Sequence, residues 1–184
     1  MLANENRHGQ VQASKNVFSG RIFDVVQEKI KTPDDLIVER DLVKHQPAVN
    51  ILAITADDQV LMNAEYRVGV NKEAIAFPAG LINPGEDVLA AAKREVLEET
   101  GYEIGEPHIM TTVTSSEGFT DEKVTLVFAE LKNKAPIATH FDEDEYVNSQ
   151  LVPLQQVIEW VRTNKITSSQ AISSLLYYLQ FIRK

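Results

Sequence analysis

Cysteine is absent from the 184 residues. That excludes disulfides, a thiolate nucleophile and Cys-ligated metal, and it fits a reducing compartment such as the cytoplasm. Positive charge is scarce: 18 Lys and Arg stand against 27 Asp and Glu, giving a formal charge of −9 and a pI near 4.9. A nucleic-acid surface needs clustered Lys and Arg to replace phosphate counterions, so that class of partner is not expected. An anionic substrate would require a metal ion or a few placed arginines. Long hydrophobic runs are missing too. No segment approaches the roughly 18 apolar residues of a membrane span, and the opening "MLANENRHGQVQASKNVFSG" has no signal-peptide core. The expectation is a soluble, cytoplasmic protein with a small-molecule substrate and no membrane partner. His8, His45, His108 and His140 lack metal-ligand spacing, which leaves them ordinary surface or capping roles.

What is present suits one main domain with a small appendage. Hydrophobic residues make up 43% and charged residues 24%, enough apolar surface for a core and no sign of disorder. Residues 1–16 are polar and read as a mobile end. "RIFDVVQEKI" (21–30) and "LIVERDLVKH" (36–45) read as an antiparallel strand pair around the turn formers Thr32-Pro33-Asp34-Asp35. "AVNILAITA" (48–56) and "VLMNAEYR" (60–67) form a second hairpin candidate, the first apolar enough to be buried on both faces. Strands follow at 74–80, 108–114 and 123–131, and helices at 153–164 and 168–184. The order predicts an α+β fold of mixed sheet and helices. A boundary is expected near residue 46, with 1–46 as an N-terminal strand region and 47–184 as the main domain.

Between the strands lies "GLINPGEDVLAAAKREVLEETGY" (80–102), which gathers Glu86, Asp87, Glu95, Glu98 and Glu99. Asn83-Pro84-Gly85 reads as a turn, Glu86 and Asp87 as the first helical turn, and Gly101 as a left-handed cap. Val88, Leu89, Ala92 and Val96 form an apolar stripe, with Glu95, Glu98 and Glu99 along its border. Like charges one turn apart cost about 0.2–0.5 kcal/mol per pair, and Arg94 alone can meet Glu98 four residues on. A solvated acidic face is the competing reading of charge alone. A hard divalent cation would offset the repulsion, and Mg²⁺ prefers a few carboxylate oxygens together with waters and substrate phosphates.

The full spacing decides between them. Gly80, five residues, Glu86, seven residues, then Arg94-Glu95-Val96-Leu97-Glu98-Glu99-Thr100-Gly101-Tyr102 resembles the Nudix box at every fixed position. Only the last position is unusual, aromatic Tyr102 standing for an aliphatic residue. The resemblance implies a Nudix-type sandwich of mixed sheet and helices that hydrolyses a nucleoside diphosphate linked to another group, with Mg²⁺ or Mn²⁺ as cofactor. It implies Glu95 and Glu99 as metal ligands, Glu98 as an assisting carboxylate, and Arg94 as the arginine that orients a glutamate. The Ala79 carbonyl is implied as a further metal contact. Glu86 is implied as structural or outer-shell.

The flanks resemble ADP-ribose pyrophosphatases. "ERDLVKHQPAV" (39–49), "EYR" (65–67) and "FPAGLINPGED" (77–87) carry that likeness. It implies hydrolysis of ADP-ribose, or a close ADP-sugar, to AMP and ribose 5-phosphate. "HFDEDEYV" (140–147) matches a loop that supplies further acids, implying Glu143 as general base and Glu145 as a metal ligand. Arg67 is implied at the diphosphate and Arg40 at substrate reached from the N-terminal strands of a homodimer. Leu81, Ser116, Gly118 and Glu122 complete the substrate set. Within "TSSEGFTDEKV" (114–124), Glu117 stands where the subfamily usually has proline, which leaves the sugar open. Another nucleotide sugar, a nucleoside triphosphate, or ligand binding without turnover are the alternatives.

Overall fold

The computed structural model describes residues 7–132, 136 and 147–183. Contacts divide the chain into two compact units: residues up to 46 together with 114–122, and residues 47–113 with 123–184.

In the first unit, β1 (Gln10–Ser19), β2 (Phe23–Lys31) and β3 (Ile37–His45) form an antiparallel sheet in that order. β2 and β3 pair without interruption from Phe23 opposite His45 to Lys31 opposite Ile37. Their turn closes where Asp35 donates its N–H to the Thr32 carbonyl at 3.0 Å, with Asp35 at a left-handed φ of 62°. The strand pair expected from the sequence is therefore a three-stranded sheet. β1 gives no apolar alternation because every one of its residues is exposed, so backbone pairing, interrupted by two register shifts, holds it rather than side-chain burial. Residues 114–122 lie along β3. The Val43 N–H donates to the Phe119 carbonyl at 2.8 Å, the Asp121 N–H to the Val43 carbonyl at 3.3 Å, and the His45 N–H to the Asp121 carboxylate at 3.0 Å.

The second unit comprises β4 (Ala48–Ile54), β5 (Gln59–Arg67), β6 (Lys72–Ala76), β7 (Ala79–Leu81), α1 (Val88–Thr100), β8 (His108–Thr114), β9 (Lys123–Glu130), β10 (Val147–Pro153), α2 (Leu154–Arg162) and α3 (Ser169–Tyr177). The sheet runs β10-β5-β4-β9-β8, with β6 on β5 and β7 on β4. β4 is wholly buried and pairs in parallel with β9, Ala48 opposite Val124 through Ile54 opposite Glu130. Its alternate residues enter two cores. Ala48, Leu52 and Ile54 join Phe77, Leu126, Val157 and Leu175, on the face packed by α2 and α3. Val49, Ile51 and Ala53 join Ala91, Ala92, Val96 and Tyr102, on the α1 face. Tyr102 thus fills the core position that an aliphatic residue would occupy. The arrangement is the mixed α+β sandwich expected from the sequence, with helices on both faces of the sheet.

Several local expectations change. The hairpin of β4 and β5 closes at Asp58 but pairs only at Ile54 with Val60, since β5 instead takes β10 and β6 as neighbours. Pro78 lies between β6 and β7 and splits the single strand expected at 74–80. Asp87 caps α1 from outside, accepting from the Leu89 and Ala90 N–H groups at 2.9 and 3.1 Å, and Glu86 precedes the helix, so neither lies in its first turn. The helix expected to run from 168 to the end gives way to a π-helical turn at Tyr178–Ile182. Among the described residues, no helix is long and apolar enough to cross a membrane.

Candidate active site

The site is built where α1 meets the short strand β7 and the middle of β5. Asp87 fixes the start of α1, and Gly101, at a φ of 68°, closes it by donating to the Leu97 carbonyl at 2.9 Å. Between these ends the helix presents Arg94, Glu95, Glu98 and Glu99 to one side.

Arg94 is the hub. Its Nε and Nη2 reach both oxygens of Glu86, each at 2.8 Å, in a fork that matches a carboxylate. Nη1 donates to Glu95 at 2.8 Å and Glu98 at 2.9 Å, and Nη2 also donates to the Leu81 carbonyl at 3.0 Å. The Asn83 N–H adds a 2.9 Å bond to Glu86. Hydrogen bonding from Arg94, then from the Asn83 backbone, pulls the Glu86 carboxyl down to a pKa of about 2. The same pairing with Glu86 raises the guanidinium pKa further. One cation therefore ties three carboxylates to the β7 backbone.

Glu95 and Glu99 also engage consecutive residues before and in the box. A Cβ placed on Gly80 would fall 2.1 Å from the Glu95 carboxyl carbon, so only glycine admits that carboxylate. Glu99, 7% exposed, accepts from the Ala79 N–H at 3.3 Å and from Asn63 Nδ2 at 2.9 Å. Asn63 in turn accepts from the Ser149 hydroxyl at 2.7 Å. Sequence reading missed Asn63 and Ser149; the only available signal was one Asn within the apolar strand "VLMNAEYR".

Of the residues singled out from the sequence, Ala79, Leu81, Arg94, Glu95, Glu98 and Glu99 converge here. Arg67 lies at the end of β5, more than half exposed, with its Nε 2.5 Å from a Glu65 oxygen. Arg40, Ser116, Gly118 and Glu122 belong to the other unit. Arg40 donates to the Glu39 carbonyl at 2.8 Å, and the Ser116 carbonyl accepts from the Phe119 and Thr120 N–H groups at 3.2 and 3.1 Å. Gly118 has open space where a Cβ would stand, and Glu122 lies 3.4 Å from His45 Nδ1. At Glu117, where the subfamily proline would be, a hydrogen bond from the Thr114 side chain lowers the carboxyl pKa. Glu143 and Glu145 lie outside the described residues.

The donor set is all oxygen, as a hard cation requires. Among the described residues, no group of three or more His, Asp or Glu side chains could hold a metal by itself. A hard divalent cation can instead be shared by one or two carboxylates with waters and substrate phosphates. Glu95 and Glu99, each against the β7 backbone, are the carboxylates that could do so.

An acidic helix clamped through one arginine onto a short strand, within a sheet flanked by helices, defines a Nudix-type domain. The model of the NUDIX domain matches residues 44–173, and the chain belongs to that family. It is 30% identical over 165 residues to an ADP-ribose pyrophosphatase of Bacillus subtilis, covering 90% of this chain and 89% of that one. It is also 30% identical over 164 residues to a methanol dehydrogenase activator of Bacillus methanolicus, with 89% of each chain covered. A crystal structure of an ADP compounds hydrolase superposes with a TM-score of 0.82 over 98% of this chain and 97% of that one, at 22% identity, a likeness of fold.

Proposed function

We propose that the protein hydrolyses the diphosphate of ADP-ribose, or of a close ADP-sugar, to AMP and ribose 5-phosphate. The observation that carries the reading is the clamp itself: Arg94 gathers Glu86, Glu95 and Glu98 beside buried Glu99, on a helix that matches the box throughout. Packing alone gives no reason to crowd carboxylates there. The name of the Bacillus subtilis relative supports the substrate class.

Glu95 and Glu99, with the Ala79 carbonyl and Glu145, would hold Mg²⁺, for which Mn²⁺ is the alternative. When bound, the ion neutralises diphosphate charge and lowers the pKa of coordinated water. Arg94 keeps Glu95 and Glu98 from splaying apart. Glu143 takes the proton of the attacking water, and Arg67 pairs with diphosphate oxygens, exchanging its Glu65 contact for substrate. Leu81, Ser116, Gly118 and Glu122 are assigned to substrate recognition, as the resemblance to ADP-ribose pyrophosphatases implies. The active form is a homodimer in which β3 carries Arg40 to the partner's substrate, and its place of action is the cytoplasm.

The test is product analysis with ADP-ribose and a panel of other ADP-sugars, dinucleotides and nucleoside triphosphates, with and without Mg²⁺. AMP and ribose 5-phosphate, formed only with metal, are expected. Pyrophosphate from a nucleoside triphosphate as the main product, or ligand binding without turnover, would overturn the reading.

A further inference from the structure

We infer that Asn63 and Ser149 are positioning residues that set the Glu99 carboxylate for a divalent cation, an inference that rests on the reading of Glu99 as a metal ligand. β5 enters the core through Val60, Leu61 and Met62, and the next residue, Asn63, is equally buried at 3% exposure. A buried amide is costly unless its donors and acceptor are used. Here both ends are used, and with a fixed polarity. Ser149 stands directly opposite Asn63 in the β10–β5 register, and its hydroxyl donates to Oδ1 at 2.7 Å. The Glu99 carbonyl, at 3.5 Å, is a poorer acceptor for the same proton. With Oδ1 taken, Nδ2 faces Glu99 Oε2 at 2.9 Å, the oxygen that also accepts from the Ala79 N–H.

Two donors on one oxygen, one from β5 and one from β7, fix the rotation of the carboxylate. The choice of an amide has chemical meaning. A lysine or arginine in this place would fix Glu99 equally well but add a second cation to a box in which Arg94 already offsets Glu95 and Glu98. A neutral donor orients the carboxylate and leaves its charge. Groups that hold a ligand in this way typically contribute about 10–100-fold to metal affinity.

The experiment measures Mn²⁺ binding to the metal-free full-length protein by electron paramagnetic resonance of the free ion, with thermal melting in parallel and no substrate present. Asn63→Leu is expected to raise the Mn²⁺ dissociation constant about 10–100-fold. Ser149→Ala, which frees the amide to turn, is expected to raise it about 2–10-fold. Ser149→Thr, which keeps the hydroxyl, is expected to restore affinity toward wild type. Unchanged Mn²⁺ affinity in folded Asn63→Leu and Ser149→Ala, even with lowered melting temperatures, would overturn the inference. Should Asn63→Leu fail to fold, the serine pair decides, and equal affinities of Ser149→Ala and wild type overturn it. Glu99→Gln separates the two readings. If that variant binds Mn²⁺ normally, the ligand role of Glu99 itself fails; if it alone is weakened, only the positioning role does.

Discussion

At the scale of single residues, Gly80 leaves no room for a side chain while Glu95 stays where it is. A methyl group there cannot coexist with the Glu95 carboxylate, 2.1 Å away, so Gly80→Ala must displace either β7 or the glutamate. A displacement of about 1 Å can cost on the order of 10²-fold in rate. We expect a loss of that order in Mg²⁺-dependent turnover, with melting close to wild type; a variant of normal rate would mean that Glu95 is not needed where it stands. Glu86 makes a different prediction, about acid. Its carboxyl is depressed from an ordinary 4.5 to about 2, so the charged form favours the fold. That contribution is fully present above pH 4.5, diminishes as pH falls and is gone below about 2. Glu86→Gln should therefore be less stable than wild type at neutral pH, the gap narrowing from pH 4.5 downward in denaturant titrations at stepped pH. A constant gap would place the cost in packing instead.

Among the elements, α1 depends on its ends. Asp87→Ala removes the acceptor for two N–H groups of the first turn and is expected to cost about 0.5–2 kcal/mol by urea denaturation, chiefly by fraying the end away from Glu99. Turnover should fall less than for Gly80→Ala. A cost near zero would mean that Glu86 and Arg94 hold the helix start unaided. The helix and its carboxylates were legible in the sequence because their residues are contiguous and their spacing is fixed by helical geometry. β4 was legible because burial on both faces leaves an unbroken apolar run. β10 and β1 were not: "VNSQLVP" mixes polar and apolar residues beside an acidic segment, and β1 buries nothing. The Asn63–Glu99 bond joins residues 36 apart in the chain, and pattern reading has no access to such a pair. The site's near side could thus be read from spacing, whereas its buried support had to be seen in three dimensions.

For the molecule as a whole, the β1–β3 sheet exposes Val11, Val17, Phe18, Phe23 and Ile37, and Ile22 and Leu36 in its connections. Apolar surface of this kind on a small sheet usually marks an interface. We expect the protein to sediment as a dimer at micromolar concentration. Removal of residues 1–46 should give a monomer or aggregate of poor substrate affinity although every box glutamate remains. A full-length monomer with full activity would sink the shared-site arrangement and leave the chemistry of α1 untouched. The parallel union of β4 and β9 bears on how the molecule comes into being. Ala48 meets Val124 only after the whole segment carrying β5 to β8 and α1 has been threaded between them. Neighbouring strands can zip locally, but this central pair must await closure of a long loop, an entropic delay that slows folding. A nascent chain released before β9 has emerged would carry the complete glutamate box and yet lack the strand against which β4 closes its core.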